Sequence, residues 1–199
     1  MTRAAVRYLK RADPRLRAVI ERVGPCRFAP RAEGSHFDAL LRAILFQQLS
    51  GKAAATIHGR VRDQFGGRDP LPAELLDTPD ELLRACGVSR QKLGYLRSLA
   101  GHVTDGELPL DTIETLDDDA AIDALVRVKG IGRWTAQIFL MFRLGRPDVL
   151  PELDLGIQKG IQLAYGLRAL PTPKRVQTIG AAWAPHRTVA AWYLWRLLD

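Results

Sequence analysis

Cysteine is scarce in this chain. Its 199 residues include only Cys26 and Cys86, which lie far apart. Two thiols alone cannot form a four-thiolate zinc site or hold an iron–sulfur cluster. A structural disulfide is possible, but nothing in the sequence suggests one, so a reducing cytoplasm is the expected location. The four histidines are scattered without the spacing of metal ligands, and we therefore expect neither a metal enzyme nor a cofactor.

Long apolar segments are also lacking. No apolar run reaches the length of a membrane span, and residues 1–7 lack the apolar centre of a signal peptide. Positive charge, in contrast, is in excess: 29 Lys and Arg stand against 22 Asp and Glu, a formal net charge of +7. This balance favours a polyanionic partner, most simply nucleic acid, over a protein that merely happens to be basic.

The alternation of apolar and polar residues that is typical of β-strands does not occur convincingly, whereas helix starts are well marked. Ser35, Ser50 and Ser89 are candidate N-caps. Three further candidates pair a capping side chain with a proline at the first helical position. We therefore predict an all-α protein that forms a single unit over residues 1–199. The three proline-containing starts are Asp13-Pro14, Thr78-Pro79 and Thr172-Pro173.

Two glycines, Gly130 and Gly132, stand between two helical patterns and predict a helical hairpin over about residues 120–144. Glycine tolerates positive φ and close backbone approach, and the free amides at the start of the second helix favour an anion. Ile131 is expected to plug the turn into the core. An ordinary glycine turn is the plain alternative, but the residues that follow favour binding of a DNA backbone. The DNA-binding candidates here are Lys129, Gly130, Gly132, Arg133 and Thr135.

Five ordered segments of the chain resemble the helix-hairpin-helix, Gly/Pro-Asp superfamily of DNA glycosylases, from about residue 35 to the C-terminus. Within it, the chain is similar to the bacterial alkylbase glycosylases of the 3-methyladenine DNA glycosylase II type. The resemblance implies a two-lobed helical fold with a cleft between the lobes, acting on double-stranded DNA. Lys129 departs from the family, which usually has proline there. The segments are 43–50, 87–96, the hairpin, 154–157 and 183–187.

The resemblance assigns the catalytic role to Asp154, at the start of the helix beginning at Leu155. Cleavage of an N-glycosidic bond builds positive charge on the sugar, which a carboxylate stabilises while it orients water. A lone Asp before a helix is ordinarily its N-cap, and both roles are compatible. Glu152 is the nearest competitor but precedes the helix start. The resemblance also implies a monovalent cation on the backbone carbonyls of Val126, Val128 and Gly130.

Trp134 occupies the position at which bifunctional members of the family carry a lysine that attacks the sugar. No Schiff-base amine is therefore available there, and we expect a monofunctional enzyme that uses water and leaves an abasic site. Iron–sulfur members carry four clustered cysteines after the catalytic domain, and this chain has none there. This argues against close relatives of endonuclease III and of the adenine-mismatch glycosylases.

A base inside the duplex must be flipped out to be reached, so a pocket for it is expected. Alkylated purines such as 3-methyladenine carry positive charge, which indole faces attract. We assign Trp134 and Trp195 to this pocket, and Trp183 and Trp192 to the core. Ile138 stands where close relatives have a pocket tyrosine, and we expect it to reshape the cavity.

Leu49 matches the family's apolar wedge, which fills the space left by the flipped base, although a leucine there could equally be core. Gln48 is expected to contact the DNA or the opposite base. The predicted function is thus excision of alkylated bases by a monomer at the nucleoid. A non-catalytic hairpin DNA-binding module, or a glycosylase for ethenoadenine, hypoxanthine or uracil, are the alternatives.

Overall fold

A computed structural model of the chain describes residues 2–31 and 33–199, and the regular structure in these residues is entirely helical. This confirms the predicted all-α class. The helices are α1 (Thr2–Ala12), α2 (Pro14–Val23), α3 (His36–Phe46), α4 (Gly51–Asp63), α5 (Pro72–Asp77), α6 (Asp80–Ala85), α7 (Arg90–Thr104), α8 (Asp118–Val126), α9 (Arg133–Phe142), α10 (Leu155–Tyr165), α11 (Pro173–Gly180) and α12 (Arg187–Arg196), with 3₁₀ turns at Ile113–Thr115 and Ala181–Trp183.

Capping side chains set most helix starts as the sequence predicts. Ser35, Ser50 and Ser89 each accept a hydrogen bond from the backbone amide three residues later. Asp13 and Thr172 cap α2 and α11, each with proline in the first turn. The prediction for Thr78 is wrong, because its hydroxyl donates to the Glu74 carbonyl and closes α5, while α6 begins only at Asp80.

The chain divides into two compact units. The first comprises residues 1–31 and 140–199, and the second comprises residues 32–139. The first unit packs α1, α2, α10 and α12 around fully buried side chains that include Trp183, Tyr193 and Leu16. The core role predicted for Trp183 is confirmed. Trp192 is half-buried, with its ring edge-on to Tyr193 at 5.0 Å between centroids.

The second unit packs α7 against α3, α5 and α6 and carries the predicted hairpin. Leu40, Leu41, Leu96 and Leu99 are fully buried in it, at the helical spacing that the sequence displays. Across residues 2–31 and 33–199, none of the helices combines the length and the apolar character needed to cross a membrane.

A buried carboxylate ties distant parts of the first unit together. Asp13 accepts hydrogen bonds from the amides of Arg15 and Leu16, from the Tyr165 hydroxyl and, at 2.7 Å, from the Trp183 indole. Burial alone raises the pKa of this carboxyl, but the four donors outweigh it and hold the pKa below its ordinary value. The Asp13 side chain is therefore an ionised cross-link within the core.

Candidate active site

The hairpin turn is built around Gly130, whose φ of +90° lies in the region that favours glycine. A Cβ atom at Gly130 would meet the ring of Tyr95 at only 2.3 Å, so any side chain at this position would force the ring or the turn to shift. Ile131 is 3% exposed, and the expectation that it plugs the turn into the core is confirmed. The two hairpin helices run from Asp118 to Phe142, so the observed hairpin begins and ends two residues before the predicted bounds of 120–144.

Two side chains outside the hairpin hold it in place. The Ser98 hydroxyl accepts a hydrogen bond from the Lys129 amide at 3.0 Å, and Gln47 Nε2 donates to the Gly130 carbonyl at 2.9 Å. Neither role is visible in the sequence, because Ser98 and Gln47 lie 31 and 83 residues from their partners. The turn is consequently fixed by α7 and by the end of α3 as well as by its own glycines.

The hairpin carbonyls leave room for the cation that the resemblance implies. The Val128 carbonyl accepts a hydrogen bond from the Ile131 amide at 3.0 Å, and the Gly130 carbonyl accepts one from Gln47. A carbonyl oxygen has two lone pairs, so each keeps one for a cation. Lys129 and Arg133 are exposed, whereas Thr135 is only 8% exposed and offers little side-chain surface to DNA.

The turn between α3 and α4 presents Leu49 to solvent, with 41% of its surface exposed, which excludes the core alternative. Gln48 before it has φ +55°, the one positive φ of a non-glycine in the described ranges. Such a conformation costs energy and clusters at functional sites. A hollow of about 300 Å³ lies beside the turn, lined by Gln48 and Leu49 together with Lys92, Tyr95 and Gly130.

Lys92 is anchored beside this hollow by donating from Nζ to the Leu45 carbonyl at 2.5 Å. Burial lowers the pKa of its ammonium group. Trp134 is 43% exposed and Ile138 is half-buried, and their spacing of four residues puts both on one face of α9. The second unit therefore carries two of the predicted pocket residues on a single helical face.

In the first unit, Asp154 is the N-cap of α10, as expected for an Asp before a helix. Its Oδ1 accepts a hydrogen bond from the Ile157 amide at 2.8 Å and a second one from the Trp195 indole at 2.9 Å. A Cβ atom at Gly156 would lie 2.8 Å from Trp195 Cδ1 and 2.9 Å from Asp154 Oδ1. Only glycine at position 156 lets the indole and the carboxylate meet.

Two phenylalanine rings pack in succession against one face of Trp195. Its ring stacks on Phe142 at 5.8 Å between centroids and 29° between planes, and Phe142 contacts Phe28 at 5.3 Å. One face of the indole is therefore covered, and a flipped base could stack only on the other. Leu153 and Leu155, on either side of Asp154 in the chain, are 51% and 53% exposed, so the residue is flanked by exposed apolar side chains.

Glu152, the competing carboxylate, is 6% exposed, and its backbone carbonyl accepts a hydrogen bond from Gln158. It therefore belongs to the packed segment before α10. Asp154, half-buried at the helix N-terminus, is the better placed of the two to meet a substrate.

Comparison with known proteins gives a consistent picture. DNA-3-methyladenine glycosylase 1 of Schizosaccharomyces pombe is 36% identical over 201 residues, which cover 98% of this chain and 87% of that protein. DNA-3-methyladenine glycosylase 2 of Escherichia coli is 30% identical over 185 residues, covering 87% of this chain and 62% of that protein.

Two solved structures share the fold over nearly all of the chain. The S. pombe 3-methyladenine DNA glycosylase in complex with abasic DNA has a TM-score of 0.86 at 36% identity, covering 96% of this chain and 95% of that one. The Bacillus halodurans DNA-3-methyladenine glycosidase has a TM-score of 0.86 at 40% identity, covering 96% and 87%. The HhH-GPD superfamily of base excision DNA repair proteins matches residues 41–186, and the chain belongs to this superfamily.

Proposed function

We propose that the protein is a monofunctional DNA glycosylase that removes alkylated bases such as 3-methyladenine by hydrolysis and leaves an abasic site. The observation that carries the proposal is the Asp154 carboxylate, held at the N-terminus of α10 by the Ile157 amide and the Trp195 indole. As the N-glycosidic bond breaks, the sugar gains positive charge and the base leaves with the bonding electrons. Asp154 stabilises that charge and orients the water that adds to the sugar, and the proton that the water loses passes through this carboxylate to solvent.

Water is the proposed nucleophile because no amine stands at the start of α9. Trp134 fills the family's lysine position, and an indole nitrogen does not form a Schiff base. Lys129 lies in the turn itself, where we assign it to the DNA backbone. The sugar–phosphate chain is therefore left intact after the base departs.

The hairpin is the proposed DNA grip. Gly130 and Gly132 bring the backbone close to a phosphate, and Lys129 and Arg133 are exposed beside them. A monovalent cation on the carbonyls of Val126, Val128 and Gly130 would add positive charge at the same place. Thr135 takes part through its backbone at the start of α9.

Access to the base requires that the nucleotide leave the stack. Leu49, exposed beside the strained Gln48, is the proposed wedge that fills the vacated space, and Gln48 contacts the DNA around it.

Three side chains support the choice of an alkylated base. Trp134 attracts a cationic ring, as does the uncovered face of Trp195, and Ile138 shapes the space beside Trp134 on the same face of α9. A cationic base is already a good leaving group, so one carboxylate suffices. The similar proteins of S. pombe and E. coli are named 3-methyladenine glycosylases, which favours the same substrate class here. In this proposal the enzyme acts as a monomer on nucleoid DNA in the cytoplasm.

Product analysis on methylated duplex tests the proposal. We expect free 3-methyladenine to appear in solution, strand breaks to appear only after alkali, and borohydride to trap no covalent enzyme–DNA adduct. A trapped adduct would refute the monofunctional assignment. Retained DNA binding without release of any base would identify a non-catalytic binding module, and release from ethenoadenine, hypoxanthine or uracil DNA alone would redirect the substrate.

A further inference from the structure

The net charge of the chain is concentrated at one end of the sequence. Residues 1–31 contain nine Lys and Arg but only two Asp and Glu, a net charge of +7, and the remaining residues contain twenty of each. One of the two acids, Asp13, is buried and hydrogen-bonded to four donors. The hairpin thus lies in a part of the chain with no net charge, and the whole excess belongs to α1, α2 and the loop that follows.

A groove of about 800 Å³ in the first unit collects part of this charge. Arg3, Arg7 and Lys10 line it from α1, where spacings of four and three residues put them on one helical face. Arg3 and Arg7 are exposed. Within the described part of the chain, Glu21 is the one acid that lines the groove, and it pairs with Lys10 at 3.2 Å. The groove therefore carries an excess of positive charge.

Apart from Glu21, the side of the groove opposite α1 is neutral, and the turn after α2 is firmly held. Tyr193 donates its hydroxyl hydrogen bond to the Gly24 carbonyl at 3.0 Å, which fixes the turn after α2. Burial raises the pKa of Tyr193 to about 12 and also raises the pKa of the Cys26 thiol, so neither adds negative charge near neutral pH. A polyanion entering the groove meets two exposed arginines, the Lys10–Glu21 pair and a firmly held, uncharged turn.

We propose that this groove is a second phosphate-binding surface, which holds the backbone of duplex DNA independently of lesion recognition. DNA is the occupant that fits, because the superfamily acts on it and duplex DNA presents one phosphate per about 1.7 Å of its axis. The three cations stand about 6 Å and 4.5 Å apart along α1, so they can engage neighbouring phosphates. The inference rests on the proposed action on DNA but not on base excision.

Salt dependence of binding to undamaged duplex tests the proposal. The variant R3Q/R7Q/K10Q removes the three groove cations, and R168Q/K174Q/R175Q removes three exposed cations from elsewhere in the same unit. Each lost phosphate contact reduces the slope of log K against log salt by about 0.9, so we expect a reduction of about 2 to 3 for the groove variant. Raising salt from about 50 to 200 mM then weakens the wild type roughly 15- to 60-fold more than the groove variant.

The control variant distinguishes a surface from a general charge effect. We expect its slope to stay close to that of the wild type. Equal losses of slope in both variants, or an unchanged slope in the groove variant, would overturn the proposal. The duplex contains no damaged base, so the result is independent of whether the enzyme excises 3-methyladenine.

Cysteine footprinting of the wild-type protein gives a second readout, which does not depend on whether a variant folds. Cys26 lines the groove and is half-buried, whereas Cys86 is 4% exposed in the second unit and serves as an internal reference. We expect saturating undamaged duplex to slow alkylation of Cys26 by iodoacetamide severalfold, measured by mass spectrometry at mildly alkaline pH, where the thiolate forms. Unchanged alkylation of Cys26 in the presence of duplex would contradict the proposal.

Discussion

The oxygen Oδ1 of Asp154 accepts hydrogen bonds from the Ile157 amide and the Trp195 indole, which together hold this oxygen in place. Hydrogen bonds to a charged acceptor are about twice as strong as neutral ones. Trp195 is thus a positioning residue as well as a candidate wall of the base pocket, since Phe142 covers one of its faces.

Replacing Trp195 with Phe separates these two roles. The variant keeps an aromatic ring but loses the N–H, which removes a bond to a charged group worth about 1.5–3 kcal/mol. We expect single-turnover base release to fall about 10- to 100-fold, with binding of methylated duplex little changed. Trp192→Phe, on the same helix, is the matched control. A wild-type rate for Trp195→Phe would exclude the positioning role.

Gly130 is required for two reasons at once, its positive φ and the Tyr95 ring 2.3 Å from where a Cβ would be. Strain and overpacking each cost about 1–3 kcal/mol, so we expect Gly130→Ala to lose about 2–5 kcal/mol of unfolding free energy. This corresponds to a Tm lower by roughly 5–15 °C, measured by calorimetry.

Gly132→Ala is the control for that comparison, because nothing lies within 4 Å of a Cβ built there. Its Tm should stay near that of the wild type. If both alanine variants melt at the same temperature, the close approach of Tyr95 does not set the hairpin.

The contacts of single residues were the least predictable part of the site. Local sequence predicts three of the roles: the helix cap at Asp154, the tight turn at Gly130 and the burial of Ile131 in the core. The indole bond to Asp154 spans 41 residues, and the Gln47 bond to the hairpin spans 83. No periodic pattern encodes such pairs, because tertiary packing brings them together. The sequence therefore predicts Trp195 as an aromatic wall of the base pocket but does not predict its hydrogen bond to Asp154.

At the scale of helices, the Asp13 carboxylate joins the start of α2 to Tyr165 at the end of α10 and to Trp183. The Asp-Pro pair predicts the cap, but not the two distant donors. The same limit explains Thr78, where a Thr-Pro pair predicts a cap and the hydroxyl instead closes α5. Where one short helix ends just before the next begins, the same side chain can cap the end of the first helix or the start of the second.

Asp13→Asn is expected to lower the unfolding free energy at neutral pH by about 2–4 kcal/mol, because a charged acceptor with four donors is lost. The folded-state pKa of Asp13 is below its unfolded value. The stability that it contributes is therefore present above the unfolded pKa, about 3.9, and is lost as pH falls through the folded value.

Urea unfolding between pH 7 and pH 2 measures this effect. The difference in unfolding free energy between wild type and Asp13→Asn should be constant above about pH 5 and shrink below about pH 4. A difference that stays constant down to pH 2 would mean that Asp13 is not an ionised cross-link.

At the scale of the whole molecule, one chain forms two compact helical units with different charge. The hairpin turn and its supports belong to residues 32–139, which include the exposed Leu49 that we propose as the wedge, while Asp154 and Trp195 belong to the other unit. The +7 charge resides entirely in residues 1–31. Composition predicts a polyanionic partner correctly, but only the folded chain gathers Arg3, Arg7 and Lys10 along one groove.

We propose Asp154 as the catalytic carboxylate of a base-excising enzyme. The most direct test of this role compares release of free 3-methyladenine from methylated duplex by wild type, Asp154→Asn and Glu152→Gln under single-turnover conditions. We predict that Asp154→Asn binds the duplex but releases base at least about 100-fold more slowly, because the stabilising charge is lost. Glu152→Gln should retain the wild-type rate, and near-normal base release by Asp154→Asn would contradict the account.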